Sequence, residues 1–202
     1  MSVVRKVRAV EKVFAVLDSE IKIFQNRSQI QCLAGCGKCC LNPDIEASPL
    51  EFLPLALDLF LTKRIEGFYI ELTQNTGPYC SLFRPKALSL DKGTCDQYNY
   101  RGLICRLFGY AAMRDKLGNP KFVTCRTIKL SQAEKVAAVD AAITKGENPP
   151  FMSDYYFRLR SIDPELGTQR LPINDAIKKA LEYVLAHYAY RRRPPLKGRK
   201  VA

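Results

Sequence analysis

All eight cysteines of the chain fall between Cys32 and Cys125, and four of them crowd into the nine residues Cys32-Leu-Ala-Gly-Cys-Gly-Lys-Cys-Cys40. Thiols this dense mean disulfides outside the cell and metal or redox chemistry inside it, so the compartment has to be read first. The amino-terminal stretch MSVVRKVRAVEKVFAVLDSEIKIF scatters Arg5, Lys6, Arg8, Glu11 and Lys12 where a secretory signal would need an unbroken apolar core. The most apolar run, residues 49–61, carries Glu51, Pro54 and Asp58 and is too short to span a bilayer. The expectation is a soluble cytoplasmic protein with no membrane partner, and its cysteines are read as free thiols or ligands.

Helical periodicity brackets the cysteine region without entering it. Val3, Val7, Val10, Phe14, Leu17, Ile21 and Phe24 recur at steps of four and three, which predicts a helix to about Gln25. Ser48-Pro-Leu-Glu51 is a capping-box signature and predicts a second helix with Leu50, Leu53, Leu57 and Phe60 inward, stopping before Gly67. Ser131-Gln-Ala-Glu134 repeats that signature and predicts a helix from there to near Gly146. Two more are expected over Met152 to Ile162 and Pro172 to Tyr190, the last with Ile173, Ile177, Leu181, Val184 and Tyr188 buried. From Thr76 to Thr127 the sequence is turn-rich and irregular, with one small hairpin expected around Gly118-Asn119. The expected fold class is therefore mainly α with an irregular, loop-rich cysteine core and one small β-hairpin, helices packing around a metal–thiolate centre. Residues 1–190 form one domain, its cysteine core at about 32–130 and helical elaborations at 1–25 and 131–190. Residues 191–202 form a basic tail without fixed structure.

A core of loops buries little apolar surface per residue, and bonds from thiolate to metal can hold it where packing does not. Thiolate is a soft donor suited to zinc, copper(I) and iron–sulfur clusters, and Cys36-Gly-Lys-Cys39 can deliver two thiolates to one site. Gly35 and Gly37 give the loop the freedom to turn backbone amides toward sulfur. Adjacent side chains such as Cys39 and Cys40 diverge, which suits a polynuclear centre or two neighbouring centres better than one tetrahedral ion. Lys38, Arg101, Arg106 and Arg126 flank thiols and can offset anionic charge. Eight thiols equal the ligands of two four-coordinate centres. Zinc and iron are not distinguished by charge or spacing.

With CGKCC followed by YCSLFRP, KGTCDQYNYRGLICRLFGY and TCRTIKL, the chain resembles the YkgJ-type cysteine-cluster proteins, the zinc- or iron-chelating CxxCxxCC domain family. The likeness covers about Cys32 to Leu130. It implies metal-ligand roles for Cys32, Cys36, Cys39, Cys40, Cys80, Cys95 and Cys105, with Cys125 a further one. Relatives in that family include flagellin lysine methylases, which implies an accessory role in protein modification with a protein partner. Two positions depart from the pattern: three residues, Leu33-Ala34-Gly35, stand in the first gap where the family name has two, and Gly102 stands where the family often has proline.

Other chemistry is thin. No glycine-rich nucleotide loop is present, so a self-contained methyltransferase is not expected. His187 is the sole histidine and reads as a helix-edge residue, and Tyr155, Tyr156 and Phe157 read as helix packing; no catalytic residue can be assigned. The formal charge is +12, and Arg191, Arg192, Arg193, Lys197, Arg199 and Lys200 lie in the last twelve residues with no acid among them. Such a tail can contact nucleic acid, although a solvated terminus is the preferred reading. Two functions stay open. One is an iron–sulfur or other polynuclear metal protein with a redox or protein-modification accessory role; the alternative is a structural Zn2+ interaction module that reaches nucleic acid through its tail.

Overall fold

The structure, a computed structural model, describes residues 1–75, 77–86 and 89–194, and the side chains of all of these except 89–91. The first helix, α1 (Val3–Ser28), buries the whole expected stripe, from Val3 to Phe24. It outruns the expected end near Gln25 because Gln29, at a left-handed φ of 55°, turns its N–H back to the Gln25 carbonyl at 2.8 Å.

After strand β1 (Glu46–Ala47) comes a single 3-10 turn, Pro49–Phe52, and then α2 (Leu53–Leu61). The capping box forms: the Ser48 N–H and hydroxyl both donate to Glu51 Oε1, at 2.8 and 2.9 Å. Leu53, Pro54, Leu55, Ala56, Leu57, Leu59 and Phe60 are all buried, so α2 is covered on nearly every side, with α1 among the helices packed onto it. Helix α2 stops at Leu61, before Gly67 as expected, but the glycine is not what ends it. The chain turns at Lys63, φ 58°, and Gly67 sits inside a further helix, α3 (Ile65–Gln74). Nothing lies within 4 Å of the place its Cβ would occupy, so this glycine only weakens helix propensity.

The turn-rich middle is more ordered than its sequence implies. Strands β2 (Phe83–Lys86) and β3 (Ser89–Cys95) form an unforeseen antiparallel hairpin with Phe83 opposite Cys95. Helix α4 (Leu103–Leu107) follows. The expected hairpin is β4 (Ala111–Arg114) with β5 (Pro120–Val123), turning at Gly118, φ 85°, while Asp115 Oδ1 accepts from the Leu117 and Asn119 N–H groups at 2.8 Å each.

Helix α5 (Arg126–Ser131) ends where a helix was expected to begin. Ser131 is its last residue and donates to the Thr127 carbonyl at 2.8 Å; Gln132 takes the junction, and α6 (Ala133–Thr144) starts without a side-chain cap. Then come α7 (Met152–Ile162), the single turn α8 (Pro164–Gly167), strand β6 (Leu171–Pro172) and α9 (Ile173–Tyr188). Strand β6 pairs antiparallel with β1, so the described residues hold three two-stranded sheets rather than one hairpin in a mainly helical fold.

The main apolar core is built on α2 with α1 and α9 packed against it and α7 against α1. A smaller second core joins Phe24, Ile30, Phe122, Ile128, Val139 and Ile143. One buried polar tie crosses the main core: Lys6 on α1 donates to Tyr183 Oη at 2.6 Å and pairs with Asp163, whose carboxylate caps α8 through the Leu166 N–H at 3.1 Å. Among the described residues no helix is long and apolar enough to cross a membrane. The expected unstructured tail lies from Pro195 onward outside the described residues. Its first part folds back, Arg191 donating to the His187 carbonyl at 3.0 Å and Arg193 standing 4.8 Å over the Phe60 ring.

Candidate metal centre

The Cys32–Cys40 segment is a double turn. Cys36 N–H donates to the Leu33 carbonyl at 3.1 Å and Cys40 N–H to the Gly37 carbonyl at 2.9 Å, with Gly35 and Gly37 at φ 69° and 64°. Only glycine takes these values without strain, and at Gly37 a Cβ would also strike the Phe83 ring. Two backbone bonds fasten the loop to the β2–β3 region, Gly93 N–H to the Gly35 carbonyl at 3.0 Å and Cys80 N–H to the Cys40 carbonyl at 2.9 Å.

All eight cysteines are free thiols, and their mutual electrostatic influence divides them into two neighbourhoods. Cys32 and Cys39 are each acted on by the charges of Cys36 and Cys125, and Cys39 by Cys32 as well. Cys105 is acted on by Cys80, Cys40 and Cys95, while Cys80 is acted on by Cys40 and Cys95. The sets are thus Cys32, Cys36, Cys39 and Cys125 on one side, and Cys40, Cys80, Cys95 and Cys105 on the other. They adjoin at the loop, where Cys36 acts on Cys40 and Cys40 on Cys39. Packing draws the same line. Cys40, Cys80, Cys95 and Cys105 belong to or pack against the main core, and Cys125 packs against the second. Cys39 and Cys40 therefore serve different sets, as the divergence of neighbouring side chains requires.

Backbone amides are aimed at several of these sulfurs. Cys125 caps α5 by accepting from the Ile128 N–H at 3.3 Å, and the N–H groups of Leu82 and Gln97 favour the ionised forms of Cys80 and Cys95. A cysteine buried merely as a small apolar side chain has no use for such donors. The residues around the thiols include several without a sequence signal. Tyr110 Oη accepts from the Cys32 N–H at 2.8 Å, and Gln132 bridges both backbone groups of Gln31, at 3.1 and 2.7 Å, bringing α5 beside Cys32.

Glu51 has a second role beyond its capping box. Its Oε2 accepts from the Leu103 N–H at 2.7 Å and so caps the helix that carries Cys105. This explains Gly102. Its φ of −65° would suit proline, but a Cβ there would lie 2.9 Å from Glu51 Oε2 and 3.1 Å from the Phe52 ring. Arg106, next to Cys105, spends its donors elsewhere: it pairs with Asp18, donates to the carbonyls of Asn99 and Arg101 at 2.6 and 3.1 Å, and covers the Phe14 ring at 4.4 Å. Positive charge reaches Cys95 instead from Arg101 and Arg84.

Burial is the main force on the thiols and pushes them up, Cys39 and Cys80 to about 12 and Cys40 to about 11, with the neighbouring thiols adding to it. Cys105 is raised well above its ordinary value by the same causes. Cys95 is also raised by burial, against the pull of Gln97 and Arg101. As they stand the sulfurs are open: among the described residues no three of His, Cys, Asp and Glu lie close enough together to hold a metal ion. The donor set fits soft-metal chemistry in identity and grouping, and closing either set requires its loops to draw inward.

His187 is half-buried on α9, edge-on to Tyr188 at 4.8 Å and beside Arg191, consistent with a helix-edge residue. Tyr155 is buried and Phe157 exposed. Comparison of the chain with protein-family models, curated proteins and solved structures finds no match.

Proposed function

We propose that the protein is a cysteine-ligated metal-binding protein with two four-thiolate centres, an iron–sulfur or other polynuclear metal protein acting as a redox or protein-modification accessory. The observation that carries this reading is the gathering of eight free thiols about one glycine-turned loop, Cys32–Cys40, which is bonded through the backbone to Cys80 and Gly93, with N–H groups directed at the sulfurs of Cys80, Cys95 and Cys125. A bound cluster would supply one-electron chemistry, and the chain's part is to hold the thiolates, donate N–H bonds to their sulfurs and keep Cys80 and Cys105 on the core. The likeness of CGKCC and CRLFG to YkgJ-type proteins points to the same class.

Structural zinc is the second reading, favoured by the count of four thiols in each set, the complement of a closed zinc site. Nucleic-acid binding has less support, since Arg191 and Arg193 are engaged with α9 and Phe60. Metal analysis and the visible spectrum of anaerobically purified protein distinguish the readings. Iron with acid-labile sulfide and visible absorption is expected; colourless protein with two equivalents of zinc would replace iron by zinc, and metal-free protein would sink both readings.

A pH experiment tests the thiolate assignment separately. Raised thiols must lose their protons to bind metal, so loading should release about one proton per ligand and strengthen from pH 6 to 9. The sign for the metal-free fold is opposite. Thiols whose folded values lie above the unfolded value of about 8.5 keep their contribution to stability below that pH and lose it as pH climbs toward about 12. Thermal melts of metal-free protein should therefore fall above pH 8.5 while melts of loaded protein do not. Parallel pH profiles for the two forms would argue against thiolate ligation.

A further inference from the structure

A cavity of about 320 Å³, lined by no cysteine, opens between the second half of α1, residues 148–151 and the first two turns of α7. Its size lies at the lower end of small-ligand clefts. Ile23 and Phe24 of α1 form its apolar wall with Pro149, Pro150 and Phe151. That wall is preformed: the Ala112 N–H donates to the Pro150 carbonyl at 2.9 Å, Ala112 pairs with Phe151, and the Arg114 guanidinium lies 4.3 Å from the centre of the Phe151 ring. Four charged residues line the same space, Glu20, Arg27, Asp154 and Arg158. Arg27 is engaged by Glu147, at 3.3 Å to its carboxylate and 3.2 Å to its carbonyl. Glu20, Asp154 and Arg158 have no ion-pair partner among the described residues, so charges of both signs line one cavity without neutralising each other. Tyr155 lines it too and is 1% exposed. Its Oη is buried and makes no hydrogen bond of ordinary geometry, although Glu20 and Arg158 lie near enough to act on its ionisation in opposite senses. Burial keeps the phenol protonated, which leaves a donor short of an acceptor.

We propose that this cavity binds a free α-amino acid with an apolar side chain: the side chain packs on the Phe24–Phe151 wall, Glu20 and Asp154 hold the ammonium, and Arg158 with the Tyr155 hydroxyl holds the carboxylate. Arg158 stands one turn beyond Asp154 on α7, exposed, 4.7 Å from the centre of the Tyr155 ring, so its guanidinium has only to swing from the ring to the ligand. A ligand of one sign would leave charge of the other sign uncompensated, and a neutral apolar ligand would strip water from all three free charges. A zwitterion satisfies both signs at once. The site shares no residue with the thiol ligands and stands or falls separately from metal binding.

Calorimetric titration of the full-length protein with L-phenylalanine and L-leucine tests the proposal. Saturable binding of at least one is expected. For the tighter binder, analogues lacking the carboxylate, lacking the ammonium, or amidated as at the start of a peptide should each bind about tenfold more weakly or worse; in the phenylalanine series these are phenethylamine, 3-phenylpropionate and phenylalaninamide. Glu20→Gln and Arg158→Gln should weaken binding by about tenfold or more while thermal melts of the ligand-free protein shift little. Tyr155→Phe separates a ligand-binding role from a structural one. Loss of an unsatisfied hydroxyl should leave the ligand-free protein at least as stable, yet still weaken amino-acid binding. The proposal is overturned if neither amino acid binds, if a single-charge analogue or the amide binds equally well, or if Tyr155→Phe lowers the melting temperature and leaves binding unchanged.

Discussion

Glu51→Ala is expected to destabilise the protein by about 3 to 5 kcal/mol, since two backbone N–H donors lose their acceptor at about 1–3 kcal/mol each and a cavity opens beside them. The carboxylate is 1% exposed and accepts from the Ser48 N–H, the Ser48 hydroxyl and the Leu103 N–H. Removing it uncaps both the turn that leads into α2 and the helix that carries Cys105, so unfolding should begin from both sides of one residue. Glu51→Gln keeps the volume and one oxygen and should cost clearly less. Urea unfolding of the three proteins measures this directly, and an Ala variant within about 1 kcal/mol of the parent would mean that the Leu103 N–H finds another partner.

Arg106→Met should be nearly as damaging, at about 3 kcal/mol, because the carbonyls of Asn99 and Arg101 lose a charged donor at about 1–3 kcal/mol each, while Asp18, 42% exposed, is left to water. Arg106 is 4% exposed, and its single planar group ties Asp18 on α1 to the carbonyls of Asn99 and Arg101 in the turn between Cys95 and Cys105. Asp18 keeps a second contact to Arg101 at 3.4 Å, which holds the loss toward the lower end. Arg106→Lys should not rescue, since an ammonium cannot reach three acceptors laid out for a guanidinium fork. Full stability of the Lys variant in thermal melts would contradict the fork assignment.

What could be read beforehand and what could not follows a physical line. Val3 to Phe24 and Ile173 to Val184 repeat apolar residues over successive turns, and a long period averages out local exceptions. Ser48 and Glu51 were legible because a capping box is a local device. The same signature at Ser131 misled: α5 already occupied the preceding residues, and an N-cap needs a non-helical backbone that Ser131 does not have. The end of α2 before Gly67 was legible too, although the glycine itself lies inside α3, since a glycine can cost helix propensity without ending a helix. The β2–β3 hairpin has no turn dipeptide of the usual kind and depends on Gly93, where a Cβ would run into the Arg84 carbonyl and the Phe83 ring. The ligand types were plain from the thiols themselves. Their grouping was not, because Cys40 meets Cys80 through a backbone bond between residues distant in the chain, and Cys125 packs against the second core.

That grouping has a consequence in polymer terms. Three members of the first set, Cys32, Cys36 and Cys39, come from one short loop, so only Cys125 has to be fetched from afar to complete it. The second set draws Cys40, Cys80, Cys95 and Cys105 from four separate stretches of chain, and anything it binds joins those stretches at a single branch point. Each distant junction removes loop freedom from the unfolded ensemble, so ligation at the second set should restrict the denatured chain more severely than ligation at the first.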